Sequence, residues 1–243
     1  MNFIEYTLTS DMLCMGERIK KGQFRPTVTT IPYSQITGAL KAVFGDKDIH
    51  AVGYFPFENE QEFRRRHVQI LTYSPRDRAI NTSIIPLYIE YLRDVKGRVF
   101  IAATDDIRDA LKNESISIYM DMGAFKSKGF GGCTLKKCRE IGEEDLEIRE
   151  GLLNTRIPIA KAKEMNGMDG KSQKRLIDEG GTTEFLKNTF GIEKVVKARY
   201  GYLFEPTSKT SGWYVLSLFE GSVIKGPEFL LKDYDRGDGN DTQ

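Results

Sequence analysis

The chain has 243 residues, 40% of them apolar and 29% charged, and a net charge of +1. This is the composition of a globular protein with length for one large domain or two small ones, and no apolar run approaches the roughly 20 residues of a membrane helix. The near-neutral total argues against a generic nucleic-acid binder, which is usually basic overall. Met1-Asn2-Phe3-Ile4-Glu5-Tyr6 has no basic segment ahead of an apolar one, so a cytoplasmic protein with no membrane partner is expected. Cys14, Cys133 and Cys138, with His50 and His67, match no zinc spacing. The cysteines read as small apolar residues, and neither metal nor cofactor is expected.

In chain order, Phe3 to Leu8 favours a strand, and residues 11–31 read as a polar, basic loop or hairpin. Pro32 opens a helix. Ser34 is its expected N-cap, Ile36, Ala39, Leu40 and Val43 recur at helical spacing, and Gly45 ends it. Strands follow at 50–57, 68–73, 84–91 and 98–103, with a charged excursion at 58–66 and a break at Lys96-Gly97. Thr104 caps a short helix over 105–112 with acids in its first turn. A strand at 115–120, a loop at 123–132 and a strand at 133–141 complete a first unit, predicted as residues 1–142. This order of strands and helices fits an α+β fold of the ferredoxin-like kind, with helices on one face of an antiparallel sheet. The open face of such a sheet is a common RNA platform.

A second, smaller or reduced unit is predicted over 143–232. It has a strand at 156–162, a glycine-rich mobile loop at 165–181 and a helix capped by Thr182 or Thr183 and ended by Gly191. A strand spans 194–204. Residues 213–224 read as a hairpin of two apolar strands about Glu220-Gly221. Residues 233–243 are acidic and glycine-containing and are expected to be disordered.

Charge is distributed unevenly. Lys126, Lys128, Lys136, Lys137 and Arg139 fall in a stretch with no acid. Arg18, Lys20, Lys21 and Arg25 form a second cluster and Arg64-Arg65-Arg66 a third. Most such runs are solvated faces. The first differs because glycines and aromatics interleave it, in Gly123-Ala124-Phe125-Lys126-Ser127-Lys128-Gly129-Phe130-Gly131-Gly132. Glycines allow positive φ and close backbone approach. Successive amides in such a turn can form an anion-binding nest. Lys126 and Lys128 supply charge for phosphates and Ser127 a donor. Phe125 and Phe130 either stack on bases or anchor the loop. Nucleotide hydrolysis is rejected, because a P-loop needs its Lys after the second glycine and a helix behind it. In Ile31 to Lys41, helix N–H groups can meet a phosphate. Gly38 there costs roughly 1 kcal/mol of helix stability relative to Ala, which points to close packing.

Together these segments resemble the RAMP superfamily of CRISPR-associated proteins. Pro32 to Lys41 is similar to that family's first-helix pattern, Lys126 to Gly131 to its glycine-rich loop, and Gly221-Ser222-Val223 to a late element of the subunit that caps the guide RNA 5′ end. Tyr33 stands where a small residue is common, and Lys41 and Lys128 where arginine is more usual. The resemblance implies one or two ferredoxin-like domains in a type III RNA-guided effector complex. It implies as partners the guide RNA (crRNA), a backbone RAMP subunit and a large subunit, with target RNA nearby. The RNA-binding residues would be Lys126, Ser127, Lys128, Gly129, Phe130, Gly131, Ser34, Lys41, Arg18, Lys20, Lys21 and Arg25. A thumb between guide and target would come from residues 11–31 or 58–82, with Arg64 to Arg66 facing RNA in the second case.

Some relatives cut RNA. A guide-processing endoribonuclease would need a histidine as general acid or base, for which His67 beside three arginines is the better placed. A target-slicing backbone subunit would need an aspartate ahead of the first helix, for which Asp11 is available. No paired carboxylates or Ser/His/Asp arrangement stands out. The expectation is therefore a binding subunit without chemistry of its own.

Overall fold

The structure, a computed structural model, describes residues 2–16, 22–45, 47–76, 79, 82, 85–104, 107, 111, 117–161, 170–206 and 212–232. The first half consists of β1 (Phe3–Leu13), β2 (Phe24–Arg25), β3 (Thr30–Ile31), α1 (Tyr33–Phe44), β4 (Ala51–Tyr54), α2 (Glu60–His67), β5 (Val68–Tyr73), β6 (Leu87–Ala102), β7 (Ser117–Asp121) and β8 (Gly132–Ile141). Of the helix expected over 105–112, Ile107 and Leu111 lie within the described residues and are helical. The strands form one sheet in the order β3-β4-β6-β1-β8-β7, antiparallel except where the short β2 runs parallel to β6. With β1 flanked by β6 and β8, and α1 between β1 and β4, this is a ferredoxin-like arrangement with β7 added at the edge.

Several expected boundaries move. Residues 87–91 and 98–102, expected in separate strands, belong to the single 16-residue β6, which pairs with β1 along one side and with β4 and β5 along the other. Lys96-Gly97 is no break. Gly97 is crowded: a Cβ there would lie 2.8 Å from the tip of the Ile31 side chain and 3.1 Å from Tyr54 O. β1 runs on to Leu13 and contains Asp11. Of the charged stretch 58–66, readable as a helical turn or an excursion, residues 60–66 lie in α2, whose N-cap Asn59 accepts from the N–H groups of Gln61 and Glu62. The N-cap of α1 is Pro32, not Ser34, and no side chain caps that end. Gly45 ends α1 at φ 81 as expected.

The sheet is buried on its helix face and, at one end, on the opposite face too. On the helix face, Ile4, Tyr6, Leu8, Val99 and Ile101 pack with Ile36 and Leu40 of α1. Burying each of the large aliphatics contributes about 1.5–3 kcal/mol. On the opposite face, Phe3, Val52, Tyr54 and Phe100 pack against the second half. The Phe229 ring stacks on Phe100 at 4.2 Å and meets Phe3 edge-on at 4.8 Å. The second half thus covers one end of that face, and the row Tyr119, Thr134, Thr9 and Lys96 across β7, β8, β1 and β6 stays open at the other, with Tyr119 76% exposed. Glu5, 3% exposed, is neutralised by Arg98 at 3.1 Å and Arg139 at 2.7 Å.

The second half contains β9 (Ile148–Leu152), β10 (Ile157–Pro158), α3 (Gly170–Asp178), α4 (Glu184–Phe190), β11 (Lys194–Lys197), β12 (Tyr200–Pro206), β13 (Gly212–Leu218) and β14 (Val223–Pro227). Residues 170–178, expected in a mobile loop, form α3 instead. Thr183 caps α4 by accepting from Leu186 N–H at 3.2 Å, and Gly191 closes it at φ 69. The expected hairpin over 213–224 is not one. β13 joins the sheet β10-β13-β12, whereas β14 joins β11-β14-β9. Glu220-Gly221 is thus a turn between sheets. Residues 233–243 lie outside the described residues.

Candidate nucleic-acid interface

The glycine-rich loop joins β7 to β8, and its conformation follows from its residues. Gly123, Gly129 and Gly131 have φ of 85, 86 and 94. At Gly131 a Cβ would lie 2.3 Å from Met122 O, and at Gly123 2.4 Å from Cys14 O, so at both positions backbone meets backbone. The base of the loop is bonded to β1 and its extension: Gly131 N–H donates to Met12 O and Ala124 N–H to Cys14 O, both at 2.8 Å. Met122 N–H donates to Gly131 O, also at 2.8 Å.

Above this base, Lys126–Lys128 makes one 3-10 turn. Phe125 enters it in the left-handed region at φ 59, a conformation that costs a non-glycine residue roughly 1–2 kcal/mol. Packing holds it there. Phe125 lies against a small core of Cys14, Ile89 and Phe130, and Phe130 meets Tyr91 edge-on at 5.1 Å. Phe130 is 4% exposed, so of its two expected roles the structure assigns anchoring and denies a free face for stacking. The N–H groups of Lys128 and Gly129 bond inward to Phe125 O and Lys126 O. Those two amides therefore do not form the expected nest. The exposed groups of the loop are Lys126, Ser127, Lys128 and Gly129. Lys126 Nζ is steered by Asp121 O at 2.7 Å, and Lys128 Nζ sits 5.1 Å from the centre of the Tyr73 ring.

The loop borders a cleft of about 360 Å³ that joins the two halves. One wall is α1, with Ser34, Gln35 and Gly38, and another is Gly123 to Lys126. The third comes from β12 and β13, with Tyr202, Phe204 and Tyr214. Ser34 and Lys126 thus come together, as expected. Lys41 and Arg25 do not join them. Lys41 acts on buried Glu205 and His50, and Arg25 bonds to the carbonyls of Gly22 and Phe24. Arg18, Lys20 and Lys21 lie outside the described residues. Close packing at Gly38 is not found either. A Cβ there would meet nothing within 4 Å, because the position opens on the cleft.

The remaining candidates are tied into the fold. Arg64 forms two bonds to Glu90, at 2.8 and 3.0 Å, and Glu90 also accepts from Thr27 N–H. Arg66 pairs with Glu62. His67 packs on Phe63 at 4.8 Å, with Nδ1 3.0 Å from Arg93 O. Asp11 is exposed on β1. His50 is 5% exposed. Its Nδ1 meets the Tyr33 hydroxyl at 2.7 Å and its Nε2 lies 3.1 Å from Asp48. Burial pushes its imidazole down to about 4 against an attraction from Asp48, and Lys161 and Lys41 add to the drop. Tyr33, the unusual residue of the first-helix pattern, is what binds α1 to the second half, edge-on to Phe185 and Phe190. Among the described residues no three His, Cys, Asp or Glu side chains gather into a metal-holding group. Likewise, no described helix is long and apolar enough to cross a membrane.

Sequence reasoning missed the aromatic wall. Its signal was present in the alternation of Tyr200, Tyr202 and Phe204 and in Trp213-Tyr214. Phe204 pairs with Tyr214 across the strands, and Tyr202 lies two residues before Phe204 on the same face. Tyr202 is 64% and Tyr214 46% exposed.

No family model matches the sequence, and no curated protein does. Among solved structures, one similar chain belongs to a cryo-EM structure of the type III-B Cmr-beta bound to cognate target RNA and AMPPnP. It is 14% identical, with a TM-score of 0.48, over 93% of this chain and 86% of that one. Another belongs to a CRISPR RNA-guided surveillance complex, 14% identical with a TM-score of 0.44, over 96% of this chain and 95% of that one.

Proposed function

We propose that the chain is a non-catalytic RNA-binding subunit of a type III CRISPR effector complex, one that holds the repeat-derived 5′ tag of the guide RNA and contacts the backbone subunit. The observation that carries this reading is the loop itself. Lys126, Ser127, Lys128 and Gly129 stand exposed on a base bonded to β1 at Met12 and Cys14. Two lysines presented on so fixed a base suit a phosphate backbone, whose contacts position a nucleic acid without reading its sequence. The three segments that resemble the RAMP pattern support the reading from the sequence side. The pairing of Arg64 with Glu90 and the packing of His67 on Phe63 give no support to a cleavage site at α2.

Affinity capture of the full chain from its native host, with sequencing of bound RNA and a count of subunits, tests this. One copy per complex, with RNAs that share a repeat-derived 5′ end, is the expected result. A free monomer without RNA, or cleavage of added repeat RNA, would overturn it.

A further inference from the structure

The cleft beside the loop has no role in the reading above. Its volume of about 360 Å³ is at the small end of ligand sites, which run to roughly 300–1,000 Å³, and suits a single nucleotide. Among the described residues, the charged ones that line it are Lys126 and Arg156, and none is an acid. Arg156 is held by Glu220 at 2.7 and 2.8 Å and lies over the Phe219 ring at 4.2 Å, which leaves Lys126 as the exposed cation. Exposed Tyr202 and Tyr214, with Phe204 between them, give flat apolar surface on one side. On the other, the Gln35 side-chain oxygen is buried without a hydrogen-bond partner. Such an acceptor is costly to leave unmade. Gly38 is a second oddity, a mid-helix glycine that costs stability yet faces open space. A helix glycine with neither packing nor φ to explain it, on the wall of a cleft, keeps that cleft wide.

We propose that this cleft takes one unpaired nucleotide of the bound RNA, its base stacked on the Tyr202–Phe204–Tyr214 strip and its phosphate at Lys126. The idea rests on the RNA-binding reading and deepens it by adding a base-stacking site to a phosphate-gripping loop. Gln35 offers its oxygen to a donor on the base edge. Stacking on aromatic side chains tolerates any base, so the strip supplies affinity and Gln35 supplies what preference there is. RNA is favoured over a peptide segment because the lining carries cationic and aromatic groups and no acid, the pattern of single-strand grooves.

The test uses the full chain and short single-stranded RNAs carrying 2-aminopurine at one position at a time. Wild type is expected to quench the probe strongly at one position. Gly38→Leu fills the cleft while improving the helix, so its melting temperature should stay level or rise as the quench disappears. Affinity should fall by about 5- to 150-fold, the range for loss of one stacked base. The double variant Tyr202→Leu, Tyr214→Leu should behave alike in binding, and Lys126→Ala should flatten the salt dependence. Wild-type affinity and quench in both Gly38→Leu and the tyrosine variant, with a lysine effect still present, would overturn the stacking site and leave the loop reading standing. Absence of RNA binding by wild type would sink both. Loss of a co-purifying protein from the tyrosine variant, with RNA affinity and quench unchanged, would make the cleft a protein dock and also overturn the proposal.

Discussion

Substituting alanine for Gly129 and for Gly131, one at a time, separates two reasons for a glycine. Both positions have φ near 90, so each variant carries the left-handed cost of roughly 1–2 kcal/mol. Around Gly129 a Cβ meets nothing within 4 Å, and its cost should stop there. At Gly131 the added carbon would lie 2.3 Å from Met122 O. Relief requires the mouth of the β7–β8 hairpin to open. That strains the Met122 N–H to Gly131 O bond, the Gly131 N–H to Met12 O bond, or both. Leaving a buried backbone partner unmade costs about 1–3 kcal/mol each, so with one or both bonds lost Gly131→Ala should lose about 2–8 kcal/mol in all. At about 2–4 °C per kcal/mol for a chain of this size, Gly129→Ala should lower Tm by a few degrees and Gly131→Ala by about 4 °C or more, and by more than Gly129→Ala. Denaturant titration followed by far-ultraviolet circular dichroism gives the free energies directly. Equal losses for the two variants would show that the loop base relaxes freely, and would refute the rigid-base argument on which the RNA reading depends.

Two further outcomes follow from burial. His50 titrates at about 4 in the fold and near 6.5 when unfolded. Between those values the unfolded chain binds the extra proton, so stability is complete above about pH 6.5 and falls as pH drops toward 4. The loss is on the order of 3 kcal/mol, and His50→Gln should flatten that part of the stability–pH profile. Thiol labelling of the native protein should modify Cys138 rapidly. It should spare Cys14 and Cys133, which are buried, the Cys133 thiol being pushed up to about 11 by that burial; rapid labelling of either one would contradict the packing at the loop base.

Legibility in the sequence followed the range of the interaction. Gly45 and Gly191 end their helices through local chemistry and were placed from the sequence alone, which left the cap of α4 between Thr182 and Thr183. The limits of the glycine-rich loop were equally plain, because positive φ at 123, 129 and 131 demands glycine. Features set by distant neighbours were not legible. Gly97 reads as a strand boundary, yet it lies within β6, paired with Leu8 of β1. Trp213 to Ile224 reads as a hairpin, yet its two strands enter different sheets. The packing of the second half on one end of the sheet's second face depends on contacts such as Phe3 with Phe229, which no local pattern encodes. The cleft draws on residues near 35, 125 and 203, and only its aromatic wall left a trace, as alternation along one strand.

The central claim is that Lys126 and Lys128 grip an RNA backbone, and the salt dependence of binding tests it most directly. Each single-strand phosphate contact contributes about 0.7 to the slope of log affinity against log salt. Lys126→Ala with Lys128→Ala should therefore weaken binding of a short single-stranded RNA and make that slope shallower by about 1.4. An unchanged affinity and slope would remove the glycine-rich loop from the RNA interface.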